Sequence, residues 1–289
     1  MIDQSRRSFP GVPTQRACQL LAASRASYYR RVTAAPGRDR EADRLREAIE
    51  RVVLAFPGYG YRRVTQHLQR EGWGVNHKRV LRIMRQESLL CQLQRRWVKT
   101  TDSEHGLRVY PNLLANAGWR QLTGINQAWA ADITYIRLAA EFCYLAAILD
   151  AYSRRVVGWC LSRQIDAALA VTALRRALAT RQPPPGWIHH SDQGVQYACR
   201  EYVSILEGAD ARISMAAKGT PRENAQAESF MRTLKHEEVY LHDYQTFEDA
   251  EPSIGQFIDR VYNEKRLHSS LGYRPPSEFE ALLAAGQLQ

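Results

Sequence analysis

The sequence predicts an α/β protein: a mixed five-stranded sheet with flanking helices, preceded by an all-helical, helix-turn-helix-like region. Three observations point there. Before residue 100 the periodic segments have helical spacing. From Gln127 on, β-prone apolar runs alternate with helical ones in the order three strands, helix, strand, helix, strand, helix. Charge divides at the same place: residues 1–100 hold 21 Lys/Arg against 8 Asp/Glu, a net of +13, and residues 101–289 hold 19 against 22, a net of −3. A basic front and a near-neutral back suggest that the first part holds a polyanion and the second does chemistry.

Taken in order, Thr14 to Arg31 reads as two short helices, with Gln15–Leu21 apolar at helical spacing and Ser24 placed to cap the second. A helix-turn-helix fragment and a plain helical hairpin fit these residues equally. Ala34-Ala35-Pro36-Gly37 then breaks the chain, so residues 1–36 form a first unit. Glu41 to Ala55 is a helix with Leu45, Ile49, Val52 and Val53 on one face, stopped by Phe56-Pro57-Gly58-Tyr59-Gly60. Tyr61 to Glu71 is a second helix, Gly72-Trp73-Gly74 a turn, and Asn76 caps a third that runs to Glu87. A glycine turn before the last of three helices makes residues 37–100 a helix-turn-helix-like domain. In the third helix Val80, Leu81 and Met84 face inward, while Lys78, Arg82 and Arg85, spaced i, i+4, i+7, form a basic stripe. Such a stripe on one helix is often a solvated face; beside a net of +13 over the first hundred residues, contact with DNA explains it better. Gln92 to Lys99 continues basic, as a linker or an arm suited to a duplex backbone. Residues 101–126 lack periodicity and form a connector.

The catalytic part spans residues 127–245. Trp129–Leu138, Phe142–Ala151 and Arg155–Leu161 are consecutive strands with short turns, as in an antiparallel meander. Asp166 to Arg181 is a helix whose apolar side holds Leu169, Thr172, Ala173, Leu174, Ala177 and Leu178, ended by Pro183-Pro184-Pro185-Gly186. Trp187–His190 is a fourth strand, Arg200–Leu206 lies in a helix, Arg212–Met215 is a fifth strand, and Pro221–Glu238 is a long helix. That order is the ribonuclease H-like arrangement. Residues 246–289 add a helix at Thr246–Glu264, a Pro-punctuated tail from Arg266 to Phe279, and a last helix after Ser277.

Three carboxylates stand out on these elements. Asp132 lies inside a mostly apolar strand, where a carboxylate is costly unless it is paired or binds a metal. Asp192, at a strand end, would alone pass for a turn residue, and Glu228 for a surface helix charge. Converging from strand, loop and helix, the three make a hard-oxygen site suited to Mg²⁺. On the last long helix Ala227, Phe230, Met231 and Leu234 form an apolar stripe, and Asn224, Glu228 and Lys235 fall on a neighbouring edge with Arg232 between. Asn224 either orients the carboxylate, contacts a base, or is a polar residue at a helix start. His189 and His190 fit a phosphate or water contact and an ordered strand-end role equally. Lys218-Gly219-Thr220 reads as a basic loop able to close over DNA, without the glycine spacing of a P-loop.

The spacing of Asp132, Asp192 and Glu228, with 35 residues between the last two, resembles the DDE triad of transposases and retroviral integrases. The surrounding words are similar to one branch, the bacterial insertion-sequence transposases encoded in two overlapping reading frames. They are Asp132-Ile133-Thr134-Tyr135, Ser153-Arg154-Arg155-Val156-Val157-Gly158-Trp159, His190-Ser191-Asp192-Gln193-Gly194, Glu228-Ser229-Phe230, Tyr262-Asn263, Arg266-Leu267-His268 and Leu271-Gly272-Tyr273. The resemblance runs from Pro13 to Phe279 and implies metal-dependent DNA cleavage and strand transfer at element ends. It implies two Mg²⁺ per site, replaceable by Mn²⁺, with Asp132 holding both ions, Asp192 one and Glu228 the other. Lys235 matches a basic position that approaches substrate phosphate. The implied partners are DNA (element ends and target), an upstream first-frame product joined as a fusion, and further copies of the chain on DNA, in the bacterial cytoplasm at the nucleoid. A nuclease of the same fold without joining activity, and a DNA-binding repressor from a decayed element, are the competing functions.

Composition excludes other classes. Hydrophobic residues make up 45% and charged residues 24%, an ordinary globular balance rather than that of a disordered chain. No apolar run is long enough for a bilayer span, and Met1–Pro10 is polar, so no membrane partner is expected. Five scattered cysteines without a Cys-x-x-Cys suggest neither a disulfide framework nor the His/Cys zinc module of retroviral integrases, which favours the bacterial branch.

Overall fold

Strand β1 (Ala128–Arg137) is the centre of the sheet and sorts its side chains strictly by parity. Trp129 and Ala131 enter the apolar cluster on one face of the sheet, and Ala130 and Ile136 enter the cluster on the other. Asp132, also even-numbered, therefore belongs to the second face. The computed structural model describes residues 36–91, 106–115, 118–218 and 220–288, with Gln15, Cys18 and Ser24 as isolated positions. The helical pair expected at Thr14–Arg31, those three positions apart, and the basic arm Gln92–Lys99 lie outside the described residues.

β2 (Phe142–Asp150) runs antiparallel to β1 with Ala147 opposite Asp132, and β3 (Val156–Ser162) runs antiparallel to β2. β4 (Ile188–Ser191) is parallel to β1, and β5 (Arg212–Met215) is parallel to β4, giving the order β3-β2-β1-β4-β5. This mixed sheet with helices on both faces is the ribonuclease H-like arrangement.

On one face lie α4 (Ala167–Thr180), whose first turn is capped by Asp166 Oδ1 accepting from Leu169 N at 3.0 Å, and α5 (Arg200–Gly208). Gly158 lets α4 sit against β3, since a Cβ there would stand 2.4 Å from the carbonyl oxygen of Ala173. On the other face lies α6 (Ala225–Glu237), led in by a 3₁₀ turn, Pro221–Asn224. Its stripe of Ala227, Phe230, Met231 and Leu234 is buried throughout, and each large side chain contributes about 1.5–3 kcal/mol. Beside it packs α7 (Phe247–Gln256), started by a capping box between Thr246 and Asp249. The helix expected to run on to Glu264 instead widens into a π-helical turn, Phe257–Tyr262, which buries Phe257, Ile258 and Tyr262.

The front unit holds α1 (Pro36–Ala55), α2 (Tyr61–Arg70) and α3 (His77–Gln86). α1 starts at Pro36 rather than after the expected break, because a proline at the first helical position has no needed N–H to lose. Asn76 caps α3 as expected, its Oδ1 accepting from Lys78 N at 2.8 Å. Val80, Ile83 and Met84 are the buried residues of α3, so Ile83 takes the place expected for Leu81, which is only partly covered. Leu267 and Tyr273 from the C-terminal tail complete this helical core. The tail then forms α8 (Pro276–Ala284), whose buried Glu280 accepts from Arg155 (2.9 Å), Arg181 (2.7 Å) and Ser153 Oγ (2.7 Å). None of the helices among the described residues is long and apolar enough to cross a membrane.

Candidate active site

Asp132 sits in mid-strand on the face covered by α6, with its Oδ1 accepting from the N–H of Ile133 at 2.9 Å. Asp192 follows the last residue of β4. The β1–β4 ladder reaches Ala130↔His190, and the same register carried two residues further sets Asp192 beside Asp132. Asp192 turns the chain, its Oδ1 accepting from Gly194 N at 2.9 Å; a Cβ on Gly194 would lie 2.9 Å from that oxygen. Glu228 occupies the first turn of α6, and contacts made through Asn224 and Glu223 hold that end of the helix. Asn224 Nδ2 donates to the carbonyl of Ala131 at 2.9 Å, one residue before Asp132. Glu223 accepts from Asn112 Nδ2 (2.8 Å) and Ala217 N (2.7 Å), while Trp119 Nε1 donates to the Glu223 carbonyl at 3.1 Å.

The electrostatics follow from this crowding. Burial, and then the negative charge of Asp192, push the Asp132 carboxyl up to about 8; Glu228 adds to the rise, and the Ile133 N–H and Lys235 oppose it. Burial also raises Glu228, with Arg232 pulling the other way. Lys235 is lowered by burial and partly restored by Asp132, and its Nζ stands 4.3 Å from the centre of the Tyr135 ring. The buried hydroxyl of Tyr197 has no hydrogen-bond partner among the described residues, and burial, Tyr202, Asp192 and Asp132 all raise it.

Among the described residues no three His, Cys, Asp or Glu side chains stand close enough together to hold an ion as they are. Asp132 and Asp192 nonetheless fit a divalent cation: they are hard oxygen donors, partly buried, whose mutual repulsion a cation relieves. Glu228 acts on Asp132 more weakly than Asp192 does.

The remaining predicted residues divide. Lys78, Arg82 and Arg85 are exposed along α3 and make no ion pair among the described residues, whereas Arg79 and Arg46 beside them pair with Glu41 and Glu87. Arg232 is exposed one turn beyond Glu228. Asn224 is 4% exposed and spent on the Ala131 carbonyl. Of its alternatives, orienting the carboxylate is supported by this contact one residue before Asp132, and burial speaks against contact with a base. His189 and His190 are buried, bonded to Tyr202 OH (2.9 Å) and Ser214 Oγ (2.8 Å), and burial lowers them to about 3 and about 4. They serve the strand rather than a phosphate. Lys218 and Thr220 of the basic loop are exposed, and Gly219 lies outside the described residues. Trp119 and Asn112, which buttress the start of α6, and Tyr197, which lies beside the two aspartates, were not expected. The only signal for the first two was a tryptophan and an asparagine in an aperiodic stretch.

Residues 123–221 and 209–276 match two families each described as an integrase core domain, and residues 40–97 match one described as an HTH-like domain. The 31 kDa protein of insertion element IS600 from Shigella sonnei is 36% identical over 264 residues, covering 91% of this chain and 96% of that protein. The transposase InsF for insertion sequence IS3A of Escherichia coli (strain K12) is 35% identical over 270 residues, covering 91% of this chain and 92% of that protein. Among solved structures, the catalytic domain of Mos1 mariner transposase overlays with a TM-score of 0.43 at 14% identity, over 60% of this chain and 88% of that one.

Proposed function

Because this chain belongs to the integrase-core DDE transposases of bacterial insertion sequences, we propose that Asp132, Asp192 and Glu228 are the residues that cut and join DNA in it. The carrying observation is Asp132, held within a core strand on the face of α6 with the charge of Asp192 beside it. Divalent cations, Mg²⁺ or Mn²⁺ and two per site, would supply Lewis-acid activation of the attacking oxygen and neutralise the leaving one. Asp132 would hold both ions, Asp192 one and Glu228 the other. Without metal, burial and the charge of Asp192 hold the Asp132 carboxyl toward its protonated form, and a bound cation would favour its carboxylate. Lys235 and Arg232, on the same edge of α6 as Glu228, position the strand's phosphates, and the α3 stripe of Lys78, Arg82 and Arg85 holds the duplex. The chain works on element ends and target DNA as an oligomer, fused to an upstream first-frame product, in the bacterial cytoplasm at the nucleoid.

Asp132→Asn, Asp192→Asn and Glu228→Gln should each lower strand cutting in Mg²⁺ or Mn²⁺ by at least about a hundredfold, without adding when combined. Affinity for duplex DNA should stay within about twofold, since these residues contribute none of the phosphate-neutralising positive charge. A folded variant that still cuts removes that residue from the site. Joined products from paired element ends decide against a nuclease that only cuts.

A further inference from the structure

The helical front unit and the helix bearing Glu228 meet at one side chain. Glu237 is the last residue of α6, about 13 Å along the rod from Glu228. Its carboxylate accepts two bonds from Arg266, from Nε at 2.7 Å and Nη2 at 2.6 Å, and lies 3.5 Å from Nη1 of Arg63 on α2. The Arg266 side chain is 4% exposed and that of Glu237 10%. Over this pair closes the turn between α1 and α2, so tightly that a Cβ on Gly58 would stand 2.2 Å from Glu237 Cγ. The next residue, Tyr59, is fully buried, and its hydroxyl accepts from Leu267 N at 2.8 Å. Arg70 fastens the outer edge to Glu278 (2.5 Å) and to the Tyr273 carbonyl (3.2 Å).

A buried ion pair adds little net stability over an apolar contact of the same shape, and its best-attested use is to fix register. Here the register fixed is that of one domain against the other. We propose that Glu237 is a positioning residue that determines where the strand is cut: it sets, within one chain, the distance between duplex held by Lys78, Arg82 and Arg85 and the carboxylates on β1, β4 and α6. This rests on the reading of Asp132, Asp192 and Glu228 as the cutting site. Gly58, Arg63 and Arg266 are its partners in that joint.

The test uses the full chain on two duplexes of equal length, one carrying the terminal sequence of the encoding element and one of random sequence, with Mn²⁺. Wild type, Glu237→Gln, Gly58→Ala and Arg63→Gln are compared, with melting curves to establish folding. Arg63→Gln leaves the Arg266 pair intact and decides the question if the harsher variants do not fold. The variants should bind the terminal duplex within about twofold of wild type and nick the random duplex within about threefold, while the fraction of cuts at the element boundary falls at least fivefold, since misplacement of about 1 Å is costly. Unchanged boundary cutting in folded variants overturns the proposal, as does an equal loss on both duplexes. A wild type that cuts neither duplex, alone or fused to a dimerising segment, instead removes the reading of the carboxylates on which the proposal stands.

Discussion

In the proposed site Asp132 would meet opposite demands with and without metal. Its pKa rises from 3.8 to about 8 on folding, by burial and by Asp192, so the free carboxylate is the costly form. Folding is favoured by this group fully below about pH 4, and that contribution is lost as pH rises toward 8. Asp132→Asn should therefore raise the melting temperature of metal-free protein at pH 8, each kcal/mol being worth roughly 2–4 °C, with the gain shrinking toward pH 4. Added Mg²⁺ should then stabilise wild type more than the variant. Calorimetry in buffers of different ionisation enthalpy should show proton release on metal binding at pH 7 that fades above about pH 8. An equal melting shift at both ends of the range would mean that the carboxyl titrates normally.

Helix α6 is held at its start by Asn224 and at its end by Glu237. Asn224→Ala leaves the buried Ala131 carbonyl without its partner, at a cost of about 1–3 kcal/mol, and frees the turn that carries Glu228. Cutting should fall about 10–100-fold, as when an orienting partner of a metal ligand is lost, with DNA affinity unchanged in a binding titration. A fall in affinity that matches the fall in cutting would restore the base-contact alternative. Helix α3 is the second element open to test. Replacing Lys78, Arg82 and Arg85 together with Ala should flatten the slope of log K against log salt by roughly 3 × 0.9. An unchanged slope returns the stripe to a solvated face.

At the scale of the whole molecule, the tail makes one object of the two halves. Leu267 and Tyr273 complete the helical core, while Arg266 and Glu280 bind the catalytic part. Strand transfer needs two element ends and a target held together, and the sequence has no long heptad run by which two copies would pair. The 289-residue chain alone should bind DNA with modest specificity and assemble paired ends poorly. Fusion to a dimerising first-frame product should restore both by raising the effective concentration of the second end. Gel-shift and joining assays on the two forms compare them directly; efficient, end-specific joining by the chain alone sinks the idea.

Periodicity alone placed the strands and most helices within a residue or two, because parity in β1 and the 3.6-residue stripe of α6 are local properties of the chain. Asp132 stood out in the sequence for a different reason: a carboxylate in an apolar strand has no cheap structural excuse. Asp192 and Glu228 stood out by their spacing and by the words around them, and the three together remain the proposed site. Contacts between elements far apart in sequence were not legible. Nothing near Asn224 announces the carbonyl of Ala131, nothing in Phe56-Pro57-Gly58-Tyr59-Gly60 announces Glu237, and an aperiodic stretch hid Trp119 behind α6. Such pairings depend on which surfaces the folded chain brings together, and only the tertiary structure decides them.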